Sequence, residues 1–374
     1  MEKRRTIIFS SSGSKMFQPD KNNPPRGEIV KYLFEIQEKI VPELITLAEI
    51  RYTILRNVYF NQPIGRRSLA GRVSLSERKV RNELDFLRKK GLLEFTRAGT
   101  VITDEGKSFL AEFDEYIKEI KDIKNLEEGL EEILGLGEII IVPGELEYSS
   151  LRQEIGRRAA VLLKESLEDG DILAVTGGET LAQVADSMRP GKEPRDVLVV
   201  PGRGGLGEKV EIQANTIASQ IAKKLGGDYR LLHIPDSIKK ENLSAIRAES
   251  SIKKTLEYLE DTSILLHGVG TAEKMATRRG MDQEQVEELL QAGAIGEAFG
   301  FYFNQAGEIV YSTTSVGISL SDLSGISRVI AVAGGVEKAK AIISVVSSEY
   351  QDILITDELT GRKILSLKGG GGRV

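Results

Sequence analysis

The chain has 374 residues, an apolar fraction of 40% and a formal net charge of −5 at pH 7. Its length suits two domains with a sizeable core, and no apolar run is long enough to cross a membrane. Because the sequence contains no cysteine and two histidines, disulfides and thiolate metal sites are excluded and imidazole chemistry is nearly so. We therefore expect a cytoplasmic protein with no metal site and no cofactor.

The net charge conceals two neighbouring segments of opposite sign. Residues 66–97 carry ten Lys and Arg against four acidic residues, whereas residues 104–134 carry eleven acidic residues against four lysines. Charge per segment is more informative here than the total. The basic segment indicates a surface for an anionic partner that the overall charge would not suggest.

The first hundred residues predict an arm followed by helices and a hairpin. Residues 1–27 are rich in Ser, Pro, Asn and Lys, which predicts a disordered arm. Apolar residues recur at helical spacing over residues 28–60, and Pro42 is expected to open a second helix. Three shorter elements follow, namely a short helix, a capped helix and a hairpin, over residues 63–73, 74–91 and 92–103.

Helices followed by a hairpin indicate a winged helix-turn-helix, which we place at residues 28–103. Val80, Leu84 and Leu87 form the apolar face of the capped helix, so its other residues face outward. In helix-turn-helix proteins that helix contacts base edges, and flanking cations contact phosphates. The alternative is a solvated basic helix in a protein-binding domain. The residues predicted to contact double-stranded operator DNA are Arg66, Arg67, Arg78, Lys79, Arg81 and Asn82.

The acidic segment has apolar residues at three- and four-residue steps from Phe109 to Ile133. This spacing predicts one long helix with a single apolar seam, which is suited to pairing with a second copy. We therefore expect a linker and oligomerisation helix over residues 104–135, and a homo-oligomer between dimer and tetramer. The alternative is that the seam packs on its own domain.

From Glu138 onwards, short apolar runs alternate with helical patterns. This predicts an α/β domain over residues 136–374, with a doubly wound and mostly parallel sheet. Four runs end in glycine, which lets backbone N–H groups approach an anion at the carboxyl edge of a sheet. The predicted strands lie in EIIIV, ILAVTGG, VLVVPGRGG, RLLHIP, ILLHGVG, VIAVAGG and ILIT.

Cations follow these glycine-ended runs, notably Arg203, Arg278, Arg279 and Lys338. Arginine suits bidentate phosphate recognition and lysine a point-charge contact, so a phosphorylated small ligand is predicted at this edge. The alternative is a surface network in which the cations pair with Glu179, Glu208 or Glu297.

Catalytic motifs are missing from the sequence. No dinucleotide fingerprint or Walker lysine is present, and no base or nucleophile constellation supports a catalytic residue. His267 stands at a strand end, where a packed or hydrogen-bonded side chain is the expected role. A sugar-phosphate isomerase or deaminase with an appended winged domain remains an alternative, as does an interaction module on a degenerate scaffold.

Motifs between Glu28 and about Leu365 resemble the SorC family of sugar-responsive bacterial transcription regulators. They include QPIGRRSLAGRVSLSERKVRNELDFLRKKGLL, AVTGG, VPGRGGLGE, QANTIA, YRLLHIP, HGVGTAEKMATRR, EAFGFYFN and VIAVAGG. The resemblance implies a fold like that of glucosamine-phosphate deaminases and ribose-phosphate isomerases, used for sensing. It also implies a repressor of glycolytic genes that is released by fructose 1,6-bisphosphate and forms tetramers on two half-sites.

The resemblance implies that the phosphosugar contacts fall on Gly178, Thr180, Arg203, Gln213, Arg278, Glu297 and Lys338. Gly177 and Glu179 belong to the same loop as the first two. Glu179 departs from the family pattern, Gly-Gly-Thr-Thr, by placing a carboxylate where a hydroxyl would donate to phosphate. We expect Glu179 to weaken phosphate binding unless it turns towards solvent or Arg203.

Overall fold

A computed structural model of the chain describes residues 39–73, 75–144, 148–190, 195–205, 209–235 and 240–369. The chain divides into two compact units, Met1–Leu47 and Ala48–Val374, and the sites considered below lie in the second. The predicted arm at residues 1–27 lies outside the described residues. The predicted boundaries near residues 103 and 135 stay predictions.

Helices and strands alternate along most of the described chain. The helices are α1 (Pro42–Asn61), α2 (Arg66–Arg72), α3 (Glu77–Lys89), α4 (Asp104–Ile120), α5 (Ile123–Leu134), α6 (Tyr148–Ser166), α7 (Glu179–Ser187), α8 (Ala214–Leu225), α9 (Leu243–Ala248), α10 (Ser250–Glu260), α11 (Ala272–Arg278), α12 (Gln283–Gln291), α13 (Leu320–Leu323), α14 (Ala339–Val346) and α15 (Glu358–Gly369). The strands are β1 (Leu93–Phe95), β2 (Thr100–Ile102), β3 (Glu138–Val142), β4 (Ile172–Val175), β5 (Leu198–Pro201), β6 (Asp228–Tyr229), β7 (Ile264–Gly268), β8 (Gly270–Thr271), β9 (Gly296–Ala298), β10 (Phe301–Phe303), β11 (Ile309–Ser312), β12 (Arg328–Val332) and β13 (Ile353–Asp357).

Residues 48–102 form a helix–hairpin unit around one apolar core. The core includes Leu55, Leu69, Val80, Leu84, Leu87, Leu93 and Ile102. Helix α3 begins where the Ser76 hydroxyl accepts a hydrogen bond from the Lys79 N–H at 3.3 Å. It ends just before Gly91, whose φ of +77° turns the chain into the antiparallel β1–β2 hairpin. The predicted short helix, capped helix and hairpin are confirmed.

The single long helix predicted over residues 104–134 is wrong. The segment forms two helices, because Asp122 adopts a left-handed conformation with φ of +55° between α4 and α5. Aspartate is among the few residues that visit this region readily. The α5 residues Ile123, Leu126 and Leu130 are buried in the core of the α/β domain. This part of the seam therefore packs on its own chain, as the alternative expectation held.

A seven-stranded sheet forms the centre of the α/β domain, in the order β3-β13-β12-β7-β4-β5-β6. Every pairing in it is parallel. Side chains alternate between two apolar clusters, so that in β12 Val329 and Ala331 join one and Ile330 and Val332 the other. Apolar clusters on both sides explain the uninterrupted apolar runs in the sequence. The predicted doubly wound α/β fold is confirmed.

Two features of the α/β domain differ from the prediction. The run RLLHIP is not a strand, since β6 ends at Tyr229 and the Asn215 side chain then bonds both the N–H and the carbonyl of Leu232. A second, antiparallel sheet in the order β11-β10-β9-β8 was not predicted. Its strands are two to four residues long, too short to give a clear alternation.

A buried polar junction joins the helix–hairpin unit to α4 and α6. Its side chains are Tyr52, Arg56, Asp114, Glu154 and Arg158. Asp114 accepts a hydrogen bond from the Tyr52 hydroxyl and pairs with Arg158. Arg56 donates to the Pro143 carbonyl at 2.6 Å, and burial raises the pKa of Tyr52. Helix α6 is thus anchored to the helix–hairpin unit by charged groups.

Candidate functional site

A cleft of about 350 Å³ opens at the carboxyl edge of the parallel sheet. The cleft lies beside β4, where the direction of the strand order reverses. β5 follows β4 on one side of it, and β7 later pairs with β4 on the other side. Ligands in open parallel sheets bind at such a switch point. The structure brings together at this cleft all nine predicted residues: Gly177, Gly178, Glu179, Thr180, Arg203, Gln213, Arg278, Glu297 and Lys338.

The amino terminus of α7 forms one wall of the cleft. Gly178 is its N-cap, with φ of +135° and no side chain to cap the helix. The N–H groups of the first turn have no carbonyl partner within a helix, and the helix dipole adds partial positive charge there. Because Glu179, Thr180 and Leu181 all line the cleft, this end of α7 is suited to an anion.

Several of the strand-end glycines use their N–H groups within the protein. Their N–H groups were expected to approach an anion, but several of them donate within the protein. The acceptors are Ile212 O for Gly178, Val316 O for Gly204, Ile234 O for Gly205, and Asp357 with Thr360 for Gly335. A Cβ on Gly204 would lie 2.6 Å from the Pro235 carbonyl oxygen. These glycines therefore allow close chain packing around the cleft.

Arg203 is buried in the floor of the cleft, with 7% of its surface exposed. Its guanidinium donates to the Phe299 carbonyl and to the hydroxyls of Thr313 and Ser315, at 2.6 and 2.5 Å for the hydroxyls. A Cβ on Gly300 would overlap the guanidinium, so glycine is required there. The arginine is thus fixed in orientation before any anion contacts it.

Glu297 pairs with Arg279, which the sequence marked as a cation of this edge but not as an effector contact. The Arg279 guanidinium donates to the Glu297 carboxylate at 2.8 Å, and the Gly300 N–H donates to the same oxygen at 2.6 Å. Arg279 also donates to the Tyr302 hydroxyl at 3.2 Å, and burial raises the pKa of that tyrosine. Glu297 therefore pairs with one of the cations, as the alternative held, but the pair is buried and is not part of a surface network. Glu208 lies outside the described residues.

Gln213, Arg278 and Lys338 are half-buried and line the cleft from three different segments. Gln213 precedes α8, Arg278 ends α11, and Lys338 lies in a 3₁₀ turn after β12. Burial is the main cause that lowers the pKa of Lys338, and nearby Lys274 and Arg152 lower it further. An ammonium in such surroundings gains from an anionic partner.

Glu179 does not face Arg203. Its carboxylate pairs with Arg152 of α6, which the sequence reasoning did not single out. Glu179 is more exposed than Arg152, with side-chain exposures of 56% and 25%. No local pattern connects residues that are separated by a helix and a strand, so this pair was visible only in the structure.

His267 has a structural role, as predicted. The ring is fully buried, with Nε2 2.8 Å from the Gln351 amide oxygen and Nδ1 3.1 Å from the Gly268 carbonyl oxygen. It also packs edge-on against the Phe299 ring, with the two ring centroids 4.8 Å apart. Burial lowers the pKa of His267.

The six predicted DNA-contacting residues are all exposed on α2 and α3. Val80, Leu84 and Leu87 point into the core from the opposite face of α3, so Arg78, Lys79, Arg81 and Asn82 lie on the solvent side. Arg67 and Glu77 form an exposed pair at 3.8 Å, which contributes little to stability. Arg97 is also exposed in the turn of the β1–β2 hairpin, a further cation beside this surface.

Within the described ranges, no helix is long and apolar enough to span a membrane. The same residues contain no group of three or more His, Cys, Asp or Glu arranged to hold a metal ion.

Comparisons with known proteins assign both parts of the chain. The family model described as the CggR N-terminal DNA binding domain matches residues 47–117, and a sugar-binding domain family matches residues 118–366. The central glycolytic genes regulator of Priestia megaterium is 42% identical over 338 residues, covering 90% of this chain and 99% of its own. Its counterpart in Bacillus subtilis is 39% identical, covering 89% of this chain and 98% of its own.

Solved structures agree with these matches. A SorC family transcriptional regulator from Enterococcus faecalis superposes with a TM-score of 0.60 at 35% identity, covering 64% of this chain and 99% of that one. The full-length sorbitol operon regulator SorC from Klebsiella pneumoniae covers 87% of this chain with a TM-score of 0.63 at 18% identity, which supports the fold alone. The chain therefore belongs to the SorC family of DNA-binding transcriptional regulators with a sugar-binding domain, and is a regulator rather than an enzyme.

Proposed function

We propose that this protein represses glycolytic genes, and that a phosphorylated sugar in the cleft, fructose 1,6-bisphosphate, controls its binding to operator DNA. The observation that carries the proposal is the convergence of nine residues, predicted as effector contacts, on one cleft. The two central glycolytic genes regulators, matched over almost their whole length, support the choice of genes.

The chemistry of the cleft suits a ligand with two phosphates. Its volume lies at the lower end of the range of about 300–1,000 Å³ that small-molecule sites occupy. Arg203 is held rigidly in the floor, while Arg278 and Lys338 approach from other segments. In the proposal these cations and the amino terminus of α7 bind the phosphates, and Gln213 and Glu297 bind sugar hydroxyls.

On the DNA side, residues 28–103 act as a winged helix-turn-helix. Helix α3 enters the major groove, where Arg78, Lys79, Arg81 and Asn82 contact bases and phosphates. Arg66 and Arg67 of α2 contact the backbone. Operators recognised by such domains contain paired half-sites, so the protein is proposed to work as a homo-oligomer, between dimer and tetramer, in the cytoplasm.

A titration of labelled operator DNA tests the proposal. Fluorescence anisotropy should give tight binding that weakens as fructose 1,6-bisphosphate is added. Fructose 6-phosphate and inorganic phosphate serve as comparison ligands, and random DNA of equal length as the comparison duplex. Operator affinity that ignores every sugar phosphate, with no ligand-induced rise in Tm, would contradict the sensing role.

A further inference from the structure

Arg152 and Glu179 form an ion pair at the edge of the cleft, on two helices that are locked together. A Cβ on Gly156 of α6 would lie 2.7 Å from the Gln183 carbonyl carbon of α7, so the two helices approach as closely as glycine allows. Gly156 lies one helical turn after Arg152 in α6, and Gln183 lies one turn after Glu179 in α7. The backbones of Arg152 and Glu179 are therefore held at a fixed separation, and their side chains form the ion pair across it.

The charges around Glu179 explain why its pairing with Arg152 affects anion binding in the cleft. Lys338 lies in the electrostatic field of both residues, since Arg152 lowers its pKa and Glu179 raises it. The pair is therefore close to the cations that line the cleft. An unpaired carboxylate at Glu179 would oppose a phosphate at the amino terminus of α7, whereas a paired one carries almost no net charge.

We infer that Arg152, which does not line the cleft, is a specificity-determining residue that neutralises Glu179 and so lets the cleft accept a bisphosphate. This inference rests on the proposed function. It assigns to Arg152 a positioning and charge-compensating role, without direct contact to the ligand. Where the family pattern has threonine, this chain has a carboxylate, and Arg152 compensates for it.

A double-mutant cycle tests the inference by calorimetry on the full-length protein, with fructose 1,6-bisphosphate and fructose 6-phosphate as probes. Arg152→Gln should weaken bisphosphate binding by about tenfold or more, because Glu179 is left uncompensated. Glu179→Gln should tighten it. The bisphosphate affinity of the double variant should be close to that of the wild type. The ratio of bisphosphate to monophosphate affinity should likewise be lowest for Arg152→Gln and highest for Glu179→Gln.

The cycle separates charge compensation from damage to the fold. If Arg152→Gln acted by disturbing α6, adding Glu179→Gln would not restore binding, and that result would overturn the inference. Shifts of the same sign in both single variants would overturn it as well. Lys164→Gln, near the carboxyl end of α6, is the matched control and should leave affinity unchanged. Failure of the wild-type protein to bind either sugar would instead reject the proposed function.

Discussion

The cations of the helix–hairpin unit and those of the cleft have the same chemistry but opposite settings. Arg78, Lys79 and Arg81 are exposed on a helix whose other face supplies the core. Arg203 and Arg279 are buried and bonded to the protein itself. We expect the exposed cations to be replaceable with little effect on the fold, whereas Arg203 and Arg279 are bonded into it.

In the proposed function, one chain binds two anions in different ways. A DNA backbone is long and uniform, so exposed cations that release counterions are sufficient for it. A small phosphosugar offers few contacts, and its recognition depends on groups fixed in advance. We therefore expect substitution of the buried cleft groups to cost folding free energy, and substitution of the exposed α3 cations to cost DNA affinity with little change in stability.

Breaking the buried pair in the cleft should have the largest effect. Glu297→Gln removes the carboxylate that Arg279 faces, with both side chains about 95% buried (exposures of 4% and 5%). Removing one partner of a buried pair typically costs about 3–5 kcal/mol of unfolding free energy. Chemical denaturation measures this loss. Glu273→Gln, at an exposed site on α11, is the control, and an equally small loss in both variants would contradict the buried role.

On the DNA side, Arg81→Ala should leave the free energy of unfolding nearly unchanged. If Arg81 reads a base, operator binding should weaken by about 1–3 kcal/mol while random DNA is affected less. Anisotropy titrations on both duplexes distinguish these outcomes. An equal loss on both would make Arg81 a phosphate contact, and Lys89→Ala, at the far end of α3, should have a smaller effect.

Substitution of the cap at the amino terminus of α3 should affect both stability and DNA binding. Ser76→Ala removes the cap that accepts the Lys79 N–H, which should lower the unfolding free energy by about 1 kcal/mol. DNA affinity should fall only to the extent that loss of the cap unfolds the first turn of α3. Ser76→Asp should restore stability, because aspartate also caps helices. A stability loss that Asp does not restore would argue that the cap is unimportant.

The smallest predicted effect is a pH dependence of ligand binding. Burial lowers the pKa of Lys338 below its ordinary value of 10.5, and a bound phosphate should raise it again. Above about pH 7, where the phosphates are fully ionised, affinity should be constant while the ammonium is protonated and fall as pH rises through the lowered pKa towards 10.5. Calorimetry on wild type and Lys338→Met checks this, since the variant should lose that dependence.

Periodicity and strand-end glycines predicted the parallel sheet and its ligand edge, because buried strands and tight turns restrict residue choice locally. Gln213 and Glu297 were identified as site residues only through the family resemblance. No local sequence pattern places either of them beside the glycine-ended loops. Sequence reasoning failed where the determinant was a contact between distant segments. Arg152 beside Glu179 is one case, and the burial of α5 on its own domain, after the break at Asp122, is another.

Control of DNA binding by the cleft can be examined by measuring the coupling between the two ligands in both directions. Operator affinity is measured at rising fructose 1,6-bisphosphate, and fructose 1,6-bisphosphate affinity is measured with and without operator DNA, on the same protein. Thermodynamic linkage requires both factors to be equal. Our account predicts that each ligand weakens the other by the same factor, clearly greater than one. Two ligands that bind independently of each other would contradict it.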